Sequence, residues 1–297
     1  MKLIMDILRG MVIGVANIIP GVSGGTMAVS LGIYDKLIGA ITGLFKHFKK
    51  SMGVLIPLGI GMGAGIVGFG YGLEYLLEHH TLATGLTFVG LVLGGLPILW
   101  GQFKAETAKK PSKKIGVGEI VCFAALLAFG VGMALLQGGT ERSLTFGVGS
   151  MVLLFVLGVV ASATMVIPGV SGSMVLLVLG YYNAILALIT GSVDALAGGD
   201  WGTLMHNVGL LIPFGIGVLL GIFGIAKVIE YLFQNFPSQT YAAIIGLILS
   251  SPFAILYSTL SPSGALGAFS VGGLVAGILL GLAGAWLTLW MGKTEAN

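Results

Sequence analysis

Charge is what this chain has least of. Only 8% of its 297 residues are Asp, Glu, Lys or Arg, against about 25% in a soluble domain. Meanwhile 56% of the residues are hydrophobic and the mean hydropathy is +1.06. So few charges cannot cover a water-exposed surface, which excludes a soluble globular fold. Long, nearly uncharged runs recur from end to end and imply several membrane-crossing helices. Cysteine is almost absent too. Cys122 stands alone in an apolar run, so no internal disulfide can form and no zinc site is indicated. The four histidines, His47, His79, His80 and His206, fall in loops or at span ends and offer no metal site. The net charge of +3 is no nucleic-acid footprint, because the lysines sit in short loops between spans. Asp6 and Arg9 interrupt the first apolar stretch and no small-residue cleavage site follows, so a cleavable signal is not expected.

Glycine, by contrast, is abundant, with 51 copies. In lipid, small residues let helix backbones approach closely, and GIGMGAGIVGFGYG from Gly59 to Gly72 repeats that small-xxx-small pattern. Candidate spans fall at about 53–77, 83–101, 116–137, 208–233, 241–258 and 265–291, each near the ~20 residues a span needs. Two longer apolar stretches, 10–45 and 147–191, remain. One set of loops collects Lys2, Arg9, Lys46, Lys49, Lys50, Lys104, Lys109, Lys110, Lys113, Lys114 and Lys293, with Lys227 near the same end of its helix. The opposite loops carry Glu78, Glu141, Asp194 and Asp200 against a single cation, Arg142. Positive charge marks the cytoplasmic side, so both termini are expected inside. Stretch 10–45 then enters and leaves by one face, and stretch 147–191 by the other. Each makes a hairpin. If the first begins after Arg9, about ten residues reach Pro20, roughly 15 Å of helix, which favours a re-entrant loop. The longer first arm of the second is compatible with full spans.

The two stretches share a phrase. NIIPGVSGGT runs from Asn17 to Thr26 and MVIPGVSGSM from Met165 to Met174. At an offset of 148, Leu31, Gly32 and Tyr34 fall on Leu179, Gly180 and Tyr182. An eight-residue insertion follows. At an offset of 156, LIP at 55–57 meets 211–213 and EYL at 74–76 meets 230–232. The chain is thus read as a duplication, residues 1–140 and 141–297. Each half holds one hairpin and three single spans, an odd parity that inverts the second copy in the membrane. The expected fold is all-α and polytopic, with two inverted-topology repeats. Secondary transporters use this plan and place their substrate near the midplane between repeats.

Non-helical backbone at membrane depth survives only where protein or water surrounds it, so the broken segments should line a cavity. After each proline a new helix begins, and its unpaired N–H groups suit an anion such as phosphate or carboxylate. Ser23, Thr26, Ser171 and Ser173 add hydroxyl donors, and Gly21, Gly24 and Gly25 permit tight turns. The alternative is that the serines only cap half-helices and the glycines only pack. Asp35 and Lys36 follow the first motif, where the second has Asn183 and Ala184. They are read either as a coupling element or as helix-end solvation. Arg142 is a candidate headgroup attractor, or else an exposed partner of Glu141. Glu119, beside Lys113 and Lys114, is expected at an interface. No cofactor is indicated, and coupling to a proton or sodium ion has no identified residue.

GVSGG formally fits the G-x-S-x-G nucleophile elbow, but that motif needs a strand-turn-helix in a soluble sheet. GxSG also occurs in rhomboid-type intramembrane serine proteases, which need a histidine base in a facing span, and no span here offers one at depth. A channel is disfavoured because no ring of charged side chains suggests a filter.

The paired motif, GVANIIPGVSGGTMAVSLGIYDKLIGAI at 14–41 and IPGVSGSMVLLVLGYY at 167–182, resembles the polyprenyl-phosphate transporter family, formerly a domain of unknown function. The likeness extends over essentially the whole chain. It implies a non-enzymatic flippase of the bacterial cytoplasmic membrane. Its substrate would be undecaprenyl phosphate, the lipid carrier of envelope polymer synthesis, returned from the outer to the cytoplasmic leaflet while its tail stays among membrane lipids. Carried over residue by residue, the binding candidates are Asn17, Pro20, Gly21, Ser23, Gly24, Gly25 and Thr26, with Pro168, Gly169, Ser171, Gly172 and Ser173. Met165 and Met174 replace Asn17 and Thr26 in the second copy, a departure from strict symmetry. The alternative is a secondary transporter of a small soluble organic anion.

Overall fold

In lipid every backbone N–H and C=O needs an internal partner, which leaves a chain this apolar little choice but helices. The computed structural model describes residues 2–18, 23–136, 144–260 and 271–296. Pro20, Gly21 and Arg142 lie outside these described residues. Within them the chain forms helices and no strand. In order they are α1 (Lys2–Ile18), α2 (Gly24–Ser30), α3 (Tyr34–Thr42), α4 (Phe48–His79), α5 (Thr81–Leu93), α6 (Leu96–Ala108) and α7 (Val117–Leu135). Then follow α8 (Val148–Val166), α9 (Gly172–Val178), α10 (Tyr182–Gly198), α11 (Trp201–Asn235), α12 (Pro237–Leu260) and α13 (Val271–Ala296).

Seven stretches among the described residues are long and apolar enough to cross a membrane: α4, α5 with α6, α7, α8, α11, α12 and α13. Six of them overlap the six single spans expected from sequence. The seventh, α8, lies inside the stretch 147–191 and has the 19 residues of a full span, as the longer first arm of that stretch allowed. The span expected at 83–101 is longer, 81–108, and is interrupted at Gly94–Gly95. A Cβ at Gly95 would sit 2.2 Å from the Cα of Ser30, so α2 packs directly into that interruption.

Arg9 does not behave as a loop cation. It lies within α1, buried, and donates to the Met291 carbonyl at 2.8 Å. Its guanidinium also meets Asp6 at 3.4 Å, and Lys36 reaches the same carboxylate at 3.0 Å. With Arg9 partnered inside the helix, α1 runs 17 residues from Lys2 to Ile18 rather than about ten from beyond Arg9. Glu119 stands in the first turn of α7. It is buried, paired with Lys110, and accepts from the Ser238 hydroxyl at 2.6 Å and the Gly116 amide at 2.9 Å.

The helix boundaries repeat at the sequence offsets. α2 and α9 have seven residues each and begin at Gly24 and Gly172. α3 and α10 begin at Tyr34 and Tyr182, α4 and α11 end at His79 and Asn235, and α5 and α12 begin at Thr81 and Pro237. Between the arms, Gly32 (φ +72°) and Gly180 (φ +81°) adopt left-handed backbone that other residues disfavour. Each donates its N–H to the residue three before it, Val29 and Leu177 respectively.

Packing repeats as well. α1 lies along α4 and α8 along α11, while α5 pairs with α13 and α7 with α12 across the halves. Hydrophobicity does not drive helices together in lipid, so close backbone approach matters. A Cβ at Gly61 would meet the Ile7 carbonyl at 2.1 Å, and one at Gly217 the Phe155 carbonyl at 2.1 Å. These are the same two positions in the two copies. The largest buried cluster surrounds α2, α5 and α12, with Met27, Val92, Ile248 and Ile255 at its centre. Outer helices show lipid-facing apolar side chains such as Leu279, Leu282 and Trp286 on α13.

Candidate functional site

The second motif copy turns where its residues require it. Ile167, Pro168, Gly169 and Val170 form a four-residue turn closed by the Val170 amide on the Ile167 carbonyl at 3.4 Å. Proline favours the second position of such a turn, and glycine supplies φ > 0 at the third; Gly169 has φ +82°. Its amide then crosses to the other copy and donates to the Thr26 hydroxyl at 2.6 Å. Nearby, the Tyr34 hydroxyl donates to the Val166 carbonyl at 3.0 Å. A Cβ at Gly25 would stand 2.7 Å from that same carbonyl. The two copies therefore meet, with the start of α2 seated against the end of α8.

The serines divide in role. Ser23 is buried and caps α2, accepting from the Thr26 amide at 3.2 Å. Ser171 occupies the same position before α9 but makes no side-chain cap. Its hydroxyl instead lies 2.8 Å from that of Ser173. The first turn of α9 has its earliest backbone bond from Val175 N–H to the Ser171 carbonyl, so the N–H groups ahead of Val175 lack intrahelical acceptors.

Both motifs open onto a cavity of about 370 Å³. Asn17, Ser23, Gly24, Ser162, Ser171, Gly172 and Ser173 line its polar part. Leu176, Ile185, Leu186, Ile189, Phe214 and Val218 are among the apolar residues of its wall. No lysine, arginine or histidine is among the described residues lining it. The shape is that of a polar end with an apolar sleeve, bounded by α8, α9, α10 and α11. Pro168 and Gly169 shape the loop behind the cavity, while Gly25 and Thr26 hold the interface between copies. None of these four lines it.

Asp35 and Lys36 are not brought to this cavity. Lys36 turns to Asp6. Asp35 accepts from the Tyr241 hydroxyl at 3.0 Å and borders a separate cavity of about 460 Å³, with Glu106, Lys109 and Glu230. Met165, Ser162 and Tyr182 also line the main cavity, and sequence reading did not single them out as binding residues. Met165 and Tyr182 stand out in the sequence only as parts of the repeat. Their position opposite Asn17 and Tyr34 in the alignment is the signal that could have found them.

Residues 13–261 match the VCA0040-like family, described as undecaprenyl phosphate translocase-like. A polyprenyl-phosphate transporter of Staphylococcus aureus is 32% identical over 257 residues, which cover 84% of this chain and 85% of that protein. A polyprenyl-phosphate transporter of Vibrio cholerae is 28% identical over 147 residues, covering 44% of this chain and 45% of that protein. No solved structure matches. The family and both relatives are named as translocases or transporters, not as enzymes. With the match spanning both motif copies and the helices that hold them, the chain belongs to the undecaprenyl phosphate translocase-like family.

Proposed function

We propose that this protein carries undecaprenyl phosphate from the outer to the cytoplasmic leaflet of the bacterial cytoplasmic membrane, by alternating access at the two PGVSG motifs. The observation that carries the reading is the cavity itself, polar where both motifs meet and apolar along α9 to α11. Hydroxyls, the Asn17 amide and the first N–H groups of α9 would hold the phosphate. Leu176, Leu186, Ile189 and Phe214 would take the first isoprene units. Because α2 and α9 have only seven residues, individual donors rather than a long macrodipole supply the binding field.

Repeated helix boundaries, paired packing and the equivalent glycine contacts support two repeats of one design. The loop charges support their inverted orientation, with both termini cytoplasmic and the second motif entered from outside. Direction follows from the family resemblance. A coupling ion, proton or sodium, belongs to the same reading.

The test is reconstitution into liposomes with fluorescent undecaprenyl phosphate placed in one leaflet. Transfer that depends on protein and slows on Ser171→Ala with Ser173→Ala supports the assignment. Uptake of a soluble organic anion without lipid transfer would replace it.

A further inference from the structure

The same helices enclose a cavity in one repeat and a packed core in the other. Carried through the repeat offsets, the cavity-lining Leu176, Tyr182, Leu186 and Phe214 fall on Ala28, Tyr34, Ile38 and Leu58. Leu186 is 43% exposed and Phe214 half-buried, whereas Ile38 is 2% and Leu58 3% exposed; Leu176 and Ala28 are both buried. The polar end behaves differently. Asn17 and its equivalent Met165 both line the open cavity, as do Ser23 with Ser171 and Gly24 with Gly172. The pseudo-symmetry axis therefore passes through the polar end, and only the apolar wall lies to one side of it.

The closed repeat also holds what the open one lacks. Asp6, Arg9 and Lys36 stand where the second repeat has Leu154, Leu157 and Ala184. Lys36 Nζ contacts both Asp6 oxygens, at 3.0 and 3.1 Å, and so ties α3 to α1. Arg9 ties α1 to the Met291 carbonyl on α13. A buried ionic group adds little net stability over an apolar replacement. It is directional, however, and breaks as a unit, which suits a closure that has to open.

We infer that the first repeat contains a second cavity, closed in this structure, which takes the same phosphate headgroup in the opposite state. The Asp6–Lys36 pair is the latch that keeps it shut. Opening moves α3 away from α1 and exposes Ala28, Ile38 and Leu58 as the new apolar wall. α1 and α4 stay joined, because their backbones touch at Gly10 and Gly61. The headgroup then keeps its place near Asn17, Ser23 and Ser171 while the tail changes walls, from α9–α11 to α2–α4. The ligand rests on the transport reading; the closed cavity and its latch do not.

The experiment uses full-length protein with Cys122→Ser and a single new cysteine, Leu58→Cys or Phe214→Cys, and follows the rate of maleimide labelling. Phe214→Cys should react and Leu58→Cys should not. Replacing the latch with the second repeat's own residues, Asp6→Leu, Arg9→Leu and Lys36→Ala, should raise Leu58→Cys labelling about tenfold as a minor state becomes a major one. Phe214→Cys labelling should fall. Unchanged Leu58→Cys labelling in a variant that melts like its parent overturns the inference. If the triple variant does not fold, Lys36→Ala alone removes the partly exposed partner and is held to the same outcome. Labelling requires no lipid, so its failure is distinct from failure of the substrate assignment. That assignment is read from protection of Phe214→Cys by undecaprenyl phosphate in vesicles. Absent protection with an intact latch effect overturns the lipid and leaves the second cavity standing.

Discussion

The Gly169 amide donates to the Thr26 hydroxyl at 2.6 Å, joining the two motif copies through residues 143 apart in the chain. Thr26 is buried and Gly169 half-buried, so removing the oxygen leaves the Gly169 N–H without its protein acceptor in a partly desolvated turn. Thr26→Val should cost about 1–3 kcal/mol, the desolvation penalty of an unmet donor. Thr26→Ser keeps the acceptor and should stay near the parent. Thermal unfolding in detergent separates them, and equal melting of the two variants would remove the bond from any structural role.

Backbone freedom at the same contact gives a second expectation. An added Cβ at Gly169 meets φ +82° and Leu247 atoms at 2.8 Å. Gly169→Ala should therefore cost at least about 1–2 kcal/mol from the left-handed conformation alone. Gly63 on α4 has no atom within 4 Å of a built Cβ, so Gly63→Ala should be neutral or slightly stabilising. Comparable losses at both positions, measured by unfolding, would mean that glycine content in general, rather than this turn, sets stability.

How much of this could be read beforehand depends on range along the chain. Apolar runs showed six single spans because hydropathy is local, and the motif offset located the arms because duplication leaves a written record. The interruption at Gly94–Gly95 was also written, in the GGLP that places Pro97 in the first turn of α6, and was not recognised. Arg9 was misplaced for a different reason. Its partners include the Met291 carbonyl, 282 residues away, and no local pattern shows such a contact. Asp35 with Tyr241, 206 residues apart, is the same case. The division between Ser23 as cap and Ser171 as cavity hydroxyl was equally hidden, since both copies read PGVSG and only their neighbours differ.

That division predicts separable phenotypes. Ser23→Ala removes a helix cap and should cost about 1 kcal/mol of stability. Ser171→Ala with Ser173→Ala should leave unfolding nearly unchanged, because neither hydroxyl caps α9. The double variant should instead weaken undecaprenyl phosphate binding by about tenfold, two lost hydrogen bonds of ~0.5–1.5 kcal/mol each. Quenching of a labelled lipid in detergent micelles measures the binding. If Ser23→Ala weakens it more than the double variant does, the first motif is the principal phosphate contact.

The described lining of the cavity holds no lysine or arginine, and this fixes the sign of a pH effect. A phosphate monoester passes from monoanion to dianion with a second pKa of about 6. Neutral donors can satisfy the oxygens of either form, yet burying the second negative charge without a cation adds a large desolvation cost. The monoanion should therefore be the bound form. Lowering the pH from about 8 to about 6 raises its share, so affinity should rise over that window and level off below the headgroup's pKa. The matched control is a lipid with a permanently monoanionic phosphodiester head, whose affinity should stay flat across the same range. Binding of the monoester that strengthens as pH rises would show that a cation reaches the headgroup. In that case Arg142, which follows the first repeat, is the residue to substitute next.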